Sequence, residues 1–528
     1  MVTGIERLLA FLKSPASYSH QPLSVRAIET HISWVFVASP FVFKVKKPIN
    51  LGFADFTTLG KRHYFCQREL ELNRRLCPDV YLDVVPIYRI ADTFSFTGEG
   101  EIAEYALKMR ELPNGWFLNE LLAQGAVGEI EIERIASRLH EFYRGEKPGP
   151  EIEQWGHPEK LKISTDENFE QVKQFAGKTI SAVALETIRH FTNRFYVANE
   201  MLFRQRIEQR RILDCHGDLR LDHVHLTPET VTVFDCIEFN DRFRFIDIAN
   251  DVAFLAMDFD FERRADLAKL FLQDAARLFD DPGILDLANF YKCYRAMVRG
   301  KVESIQAIGR HAADPEQQGS RAARYFRLAL RYATGGSDPL LLVVMGPVGT
   351  GKSTVARQLA RELDWPVFSS DALRKNLAGL PLAQRTPAEL RTRIYSDEMT
   401  TRTYDTLINV ALLAAQQDGG AVVDATFSRR TRREAVRCEC AKAGVRYRMI
   451  ELNAPDEQVI ARLRQRETSG DEISDARLED MAALNAAYEP AVDVGDVIRI
   501  SATLESSETI KNTMFRLAED QARALTGK

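Results

Sequence analysis

The chain has 528 residues, more than one hydrophobic core usually serves, so two or three domains are expected. Its 45% hydrophobic and 27% charged content is ordinary for a globular protein, and a net charge of −5 excludes a general basic coat for nucleic acid or membrane. No apolar run approaches the roughly eighteen residues of a membrane span. Glu6, Arg7 and Lys13 stand where a signal peptide would have its apolar core, and seven scattered cysteines suit a reducing, cytoplasmic compartment.

In chain order, residues 32–38 and 41–45 flank Ser39-Pro40 and read as a hairpin. Residues 58–76 read as a helix, followed by strands near 84–90, 93–97 and 105–109. From about 117 to 330 the pattern is mostly helical, interrupted by a strand-rich segment around 214–239. Thr334-Gly-Gly-Ser-Asp-Pro339 is a turn-rich linker. Beyond it, strand candidates Leu340–Met345, Val367–Ser369, 421–423 and 447–452 alternate with helical stretches, which predicts a parallel sheet wrapped by helices. The expected domains are therefore 1–333, with a small lobe to about 112 and a helical lobe over 113–333, and 340–528, joined by 334–339.

Gly346-Pro-Val-Gly-Thr-Gly-Lys-Ser353 is a complete GxxxxGK[ST] motif, preceded by an apolar strand and followed by a helical pattern. Its glycines let backbone N–H groups face phosphate oxygens at a helix N-terminus. Lys352 offers charge to the β/γ-phosphates and Ser353 a hydroxyl to Mg²⁺. Gly346, Pro347, Val348, Gly349, Thr350, Gly351, Lys352, Ser353 and Thr354 are thus the expected ATP contacts.

The first 333 residues carry a second constellation. Cys215-His-Gly-Asp-Leu-Arg-Leu-Asp-His-Val-His-Leu226 resembles the catalytic loop of the aminoglycoside phosphotransferase and choline-kinase group, and Val231-Thr-Val-Phe-Asp235 ends a strand where those kinases hold their metal-binding Asp. A β-rich lobe followed by a helical one is also how protein-kinase-like folds read. The resemblance implies an α+β kinase fold in which Asp218 accepts the proton of an acceptor hydroxyl and Asp235 binds Mg²⁺. It further implies that Lys44 meets the α/β-phosphates, with Lys46 or Lys47 as substitutes. Glu69 would be its ion-pair partner, and residues 109–111 would lie nearest the adenine. Two features depart from the pattern. His223 stands in place of the Mg²⁺-ligating Asn, so it is a metal ligand of altered kind, and no GxGxxG precedes the lysine. Asp247 and Asp251 read as structural caps. Arg295 and Arg299 share a helical face that suits either an anionic acceptor or solvent.

Past the phosphate loop, Asp371 and Arg374 follow the second strand, Asp424 ends the strand Ala421-Val-Val-Asp424, and Arg462 and Arg466 share a helical face leading into a polar segment, 467–475. These resemble small P-loop kinases typified by gluconate kinase, polynucleotide 5′-kinase and zeta toxin. The resemblance implies an α/β P-loop domain in which Asp371 activates a hydroxyl and Arg374 holds the substrate. Asp424 would sit near Mg²⁺, and the two arginines would stabilise the transferring phosphoryl group from a lid. Ser370 or Asp371 reads equally as a helix N-cap. Residues 429–448 hold eight basic against two acidic residues, a nucleic-acid surface or a solvated helix. Cys438-Glu-Cys440 has no second cluster to make a metal centre.

Together these features resemble bacterial two-domain proteins with an aminoglycoside phosphotransferase-like domain before a P-loop ATP-binding domain. The expectation is an enzyme using ATP and Mg²⁺ at two sites to phosphorylate small-molecule or metabolite hydroxyls, with no membrane partner. The alternatives are an N-terminal pseudokinase regulating the second domain and a C-terminal polynucleotide 5′-kinase.

Overall fold

The computed structural model describes all residues except 1–3, 53, 92, 310–313, 383–385, 469–473, 476, 492–496, 503–504 and 524–528. By packing, the chain divides into two compact units, Met1–Ser164 with Met201–Lys292, and Thr165–Glu200 with Cys293–Lys528.

The first unit opens with a six-stranded antiparallel sheet. Its strands are β1 (Arg26–Glu29), β2 (Ser33–Ala38), β3 (Phe41–Lys46), β4 (Tyr81–Ile90), β5 (Thr93–Ser95) and β6 (Glu101–Arg110), in spatial order β1-β2-β3-β6-β4-β5. The hairpin at Ser39-Pro40 forms as its flanking pattern requires, with Ala38 opposite Phe41. β1 carries no periodic signal because every residue of it is exposed. On one side the sheet meets the Gly4–Lys13 helix through Leu8, Leu12, Phe36, Phe43 and Val45. The Leu59–Arg74 helix, N-capped by Thr58, packs Cys66 and Leu70 against Tyr81, Val84 and Leu107.

The rest of this unit is helical. The Ile248–Phe261 helix is buried almost all round, as expected of an element packed on several sides. Between helices lie two short antiparallel ladders. β7 (Ile212–Asp214) pairs with β10 (Phe245–Asp247), and β8 (Val224–Leu226) with β9 (Val231–Val233). The loops between these ladders carry the motif residues.

The second unit holds a five-stranded, fully parallel sheet of β11 (Leu340–Met345), β12 (Val367–Ser369), β13 (Gly420–Asp424), β14 (Arg446–Asn453) and β15 (Val497–Ser501), in order β12-β13-β11-β14-β15. β11, at its centre, is buried at every position, which is what a strand covered on both faces by helices requires. β15, an edge strand with only alternate residues buried, was not among the sequence candidates.

Packing does not follow the 334–339 linker. The Ala182–Ala198 and Pro315–Thr334 helices belong to the phosphate-loop unit, where both lie against the C-terminal Ser506–Arg523 helix. Arg331 donates to the carbonyls of Leu363 (2.9 Å) and Asp364 (3.0 Å) at the end of the Lys352–Leu363 helix. Ser181 donates to Glu362 at 2.6 Å. Sequence proximity misled here because amphipathic helices choose their partners by apolar face, and these two find theirs on each other and on the Ser506–Arg523 helix.

Candidate functional site

In the first unit, β3 presents Lys44 and Lys46 to the same side, as alternation in a strand requires. Lys44 Nζ lies 2.8 Å from Glu69 Oε1 and 2.6 Å from Asp235 Oδ1. Lys46, essentially buried, lies 2.7 Å from Glu69 Oε2 and 2.5 Å from Glu238 Oε1. Each oxygen of Glu69 thus serves a different lysine. The Lys44–Glu69 pair is present, and Lys46 is a second buried cation beside it. Glu238 was missed, because three residues after Asp235 it carries no motif signal.

The electrostatics follow from burial set against charge. Burial alone would lower the Lys44 and Lys46 pKa values, but the facing carboxylates outweigh it and hold both ammoniums charged. Burial likewise raises Glu69 and Asp235, and is outweighed by Lys44, joined by Lys46 at Glu69, so both carboxyls sit below the usual range. For Glu238 burial prevails over Lys46 and its pKa is raised. Stability from Glu69 and Asp235 is therefore fully present above the ordinary carboxylate range and is lost as pH falls through their depressed values. Glu238 acts oppositely, costing stability as pH rises through its raised value. The urea midpoint is expected to fall as pH drops below about 4. Glu69→Gln is expected to flatten that dependence, and an unchanged acid limb would contradict the assignment.

The loop from Cys215 to His223 is built by burial of polar groups. Gly217 has φ +85, and a Cβ there would meet the Phe243 carbonyl oxygen at 2.7 Å, so glycine is required. Asp251 accepts from His216 N (2.8 Å), Gly217 N (2.9 Å) and Tyr143 Oη (2.8 Å), fixing the loop that carries Asp218. Asp247 caps the Ile248–Phe261 helix through Ala249 N and pairs with buried Arg206. Asp247 is thus the cap expected of it, whereas Asp251 lies inside the helix and holds the loop instead of capping. His216 bridges the loop to the next strand end. Its Nδ1 accepts from Asp218 N at 3.2 Å and its Nε2 donates to Phe234 O at 2.8 Å. Burial lowers its pKa and keeps it neutral for that double role.

Asp218 and Asp235 converge on His223. Nδ1 of His223 is 3.5 Å from Asp218 Oδ2, and Nε2 is 3.5 Å from Asp235 Oδ2. Asp235 holds a left-handed φ of +64, with its amide on Tyr81 Oη at 3.1 Å and the following amide of Cys236 on Asn73 Oδ1 at 2.9 Å. A strained aspartate held from both sides is what aiming a carboxylate looks like. The Asp235 carboxylate fits a hard cation such as Mg²⁺. The His223 imidazole does not fit an all-oxygen Mg²⁺ shell. At residues 109–111, the amides of Arg110 and Glu111 are spent on the carbonyls of Val80 (2.8 Å) and Pro40 (3.0 Å), so neither is offered to a base.

In the second unit the phosphate loop joins β11 to the Lys352–Leu363 helix. Gly346 has φ +137, and a Cβ there would lie 2.4 Å from the Leu452 carbonyl oxygen on β14, so the first loop glycine is imposed by the neighbouring strand. Gly349 and Gly351 also have positive φ, and Gly351 caps the helix. Val348 packs against Val459 and Leu463 of the Asp456–Thr468 helix. Lys352 Nζ donates to the Pro347 carbonyl at 2.7 Å, and Arg462 to the Thr350 carbonyl at 3.1 Å, so Arg462 faces the loop. The side chain of Arg466 and most of segment 467–475 lie outside the described residues.

Asp424, at the end of β13, is buried and hydrogen-bonded to the Ser353 hydroxyl. Burial raises its pKa, partly offset by that bond and by Lys352, while the nearby Asp371 raises it further. A hydroxyl and a carboxylate, both hard oxygen donors, fit Mg²⁺. Asp371 lies in the first turn of the Ser370–Leu377 helix, whose N-cap is Ser369, so neither Ser370 nor Asp371 is the cap. Arg374, from the same helix, is buried. It donates to Ile394 O and Thr400 Oγ1, both at 3.0 Å, and lies over the Tyr395 ring, contacts that order the segment facing Asp371.

Of the basic residues in 429–448, Arg430 and Lys442 pair with Glu434 and Glu439, and Arg433 and Arg446 donate to backbone carbonyls. These four of the eight basic residues are thus engaged within the chain. Arg299 pairs with Glu303 at 2.8 Å and Arg295 is buried, so those two do not form an exposed basic patch. Cys438 is exposed and Cys440 buried, facing apart on one helix. No helix of the described residues is long and apolar enough to cross a membrane.

A family model for an AAA domain matches residues 341–491. The uncharacterized proteins Rv2004c of Mycobacterium tuberculosis and Mb2027c of Mycobacterium bovis are each 31% identical over 399 residues, 76% of this chain and 78% of the relative. Among solved structures, a gluconokinase from Sinorhizobium meliloti aligns with a TM-score of 0.26 at 17% identity, over 36% of this chain and 94% of its own. A choline kinase from Cryptosporidium parvum aligns with a TM-score of 0.39 at 9% identity, over 62% of this chain and 94% of its own.

Proposed function

We propose, from the premise that this chain belongs to the family of the mycobacterial protein Rv2004c, that it is an ATP-dependent phosphotransferase with two nucleotide sites, one in each unit, acting on small-molecule or metabolite hydroxyls. The observation that carries the reading is that each unit independently brings together a lysine, an oxygen-donor carboxylate and a second aspartate, Lys44/Asp235/Asp218 in one and Lys352/Asp424/Asp371 in the other.

In the second unit Asp371 takes the proton of the acceptor hydroxyl as its oxygen bonds to the γ-phosphorus and the bond from that phosphorus to the bridging β–γ oxygen breaks. Lys352 and Arg462 hold the phosphate oxygens as charge shifts to the leaving diphosphate. Asp218 has the corresponding role in the first unit, with Lys44 released from Asp235 to the phosphates. Ser353 and Asp424 in one unit, and Asp235 in the other, would hold a divalent cation, whose chemistry is to neutralise β/γ-phosphate charge.

The test is transfer of label from γ-labelled ATP into a metabolite pool by wild type, Asp218→Asn and Asp371→Asn. Each variant is expected to lose its own subset of products by about 10²–10⁴-fold. Products untouched by either change, or no labelled product at all, would overturn the reading.

His223, an imidazole where an oxygen ligand is expected, favours a second reading, an N-terminal pseudokinase. It predicts nucleotide binding without transfer in full-length Lys352→Ala. The full chain is needed, since residues 1–333 alone would strip the Ala182–Ala198 and Pro315–Thr334 helices from the unit they pack in.

A further inference from the structure

The surroundings of His223 define which of its nitrogens is a ligand. Nδ1 lies 2.8 Å from the carbonyl oxygen of Asp218. A carbonyl has no proton to give, so Nδ1 carries the hydrogen and donates it. In the neutral ring the lone pair is then on Nε2. Arg220 Nη2 approaches that atom at 3.1 Å, and a guanidinium only donates, so the same tautomer satisfies both contacts.

The lone pair sits beside Asp235. Nε2 and Asp235 Oδ2 are 3.5 Å apart. Two ligands bound at right angles to one ion through bonds of about 2.1 Å stand roughly 3 Å apart, so small adjustments bring both onto a single cation. Arg220 can yield the nitrogen and keep its pairs with Asp222 (2.6 Å) and Asp218 (3.4 Å). Among the described residues no three His, Cys, Asp or Glu side chains form a cage that holds an ion unaided, so the cation must arrive with the nucleotide.

We infer that the first unit selects a nitrogen-accepting divalent cation of the Mn²⁺ class over Mg²⁺, with His223 Nε2 and Asp235 Oδ2 as its protein ligands and nucleotide phosphates completing the shell. The inference rests on the reading of this unit as a nucleotide site. Mg²⁺ demands hard oxygen donors and gives up water reluctantly, whereas imidazole is a normal ligand of first-row transition metals. The second unit, with Ser353 and Asp424, keeps the oxygen set and the Mg²⁺ preference. One chain thus carries two nucleotide sites of different cation chemistry.

The test uses the full chain with the phosphate loop disabled, Lys352→Ala, loaded with Mn²⁺ and a non-hydrolysable ATP analogue. Electron spin echo envelope modulation of the bound Mn²⁺ is expected to show a directly coordinated imidazole nitrogen. In Lys352→Ala/His223→Asn that coupling should vanish while Mn²⁺–nucleotide still binds, and competition against Mg²⁺ should show Mn²⁺ preference falling about tenfold or more. Bound Mn²⁺–nucleotide without nitrogen coupling, or coupling that survives His223→Asn, overturns the inference and leaves the nucleotide site standing. No Mn²⁺–nucleotide binding at all removes the site and the inference together.

Discussion

Lys352→Ala is expected to lower nucleotide binding and turnover at the phosphate loop by about 10²–10³-fold, the usual consequence of removing one preorganised donor of charge to a phosphoryl group. The ammonium is on the spot, on the Pro347 carbonyl at 2.7 Å and close enough to Asp424 to counter part of the effect of its burial. Folding should change little, because the backbone of the loop is held by Gly346 against β14 and by Val348 against the Asp456–Thr468 helix, neither of which involves the lysine. Lys352→Arg is expected not to rescue, since a planar fork does not replace a compact ammonium in so tight a loop. Titration calorimetry with ATP checks this directly. Wild type should show two classes of site and the variant one. Two unchanged classes would mean that the loop is not a nucleotide site, and none at all would mean that the two sites are not independent.

Glu69→Ala is expected to be the most damaging single change to the first unit. Both carboxylate oxygens are in use, on Lys44 and Lys46, and the glutamate is buried. Its removal leaves two buried ammoniums with less counter-charge, and breaking a buried pair from one side costs about 3–5 kcal/mol. For a unit of this size that is a fall of roughly 6–20 °C in the melting transition. Glu69→Gln keeps the shape and two polar atoms and should fall between wild type and alanine. Glu170→Ala, at an exposed pair in the second unit, is the contrast. Its partner Lys173 lies 2.5 Å away, but both are more than half exposed, and water replaces the bond, so no shift of the transition is expected. Calorimetry on the three variants decides the matter, and equal transitions for Glu69→Ala and Glu170→Ala would refute the network.

A nucleotide-binding C-terminal module was legible before any coordinate, because the phosphate loop is a local device. Eight consecutive residues set its backbone, and the strand before and helix after it are visible in their own periodicity. The same holds for the Cys215–Leu226 segment and for Asp235, which sit in contiguous motifs. What the motifs could not show is which polar side chains are driven inside. Glu69 lies on a helix that buries Arg62, Glu69 and Asn73 along with apolar residues, so its inward face does not stand out by hydrophobicity. Lys46 and Glu238 are partners across 192 positions, and Lys44 and Asp235 across 191. Asp251 reads as a helix-start residue until its oxygens are seen on His216, Gly217 and Tyr143.

The sequence by itself determined the local chemistry: a glycine loop for phosphate, lysines on an alternating strand, and aspartates at strand ends. Only the tertiary structure decided which lysine meets which carboxylate, which nitrogen of His223 carries the lone pair, and which helices cover the parallel sheet. The division has a physical reason. Backbone conformation follows from neighbours in the chain, whereas a charge survives burial only beside a partner, and the fold chooses that partner from anywhere along the chain.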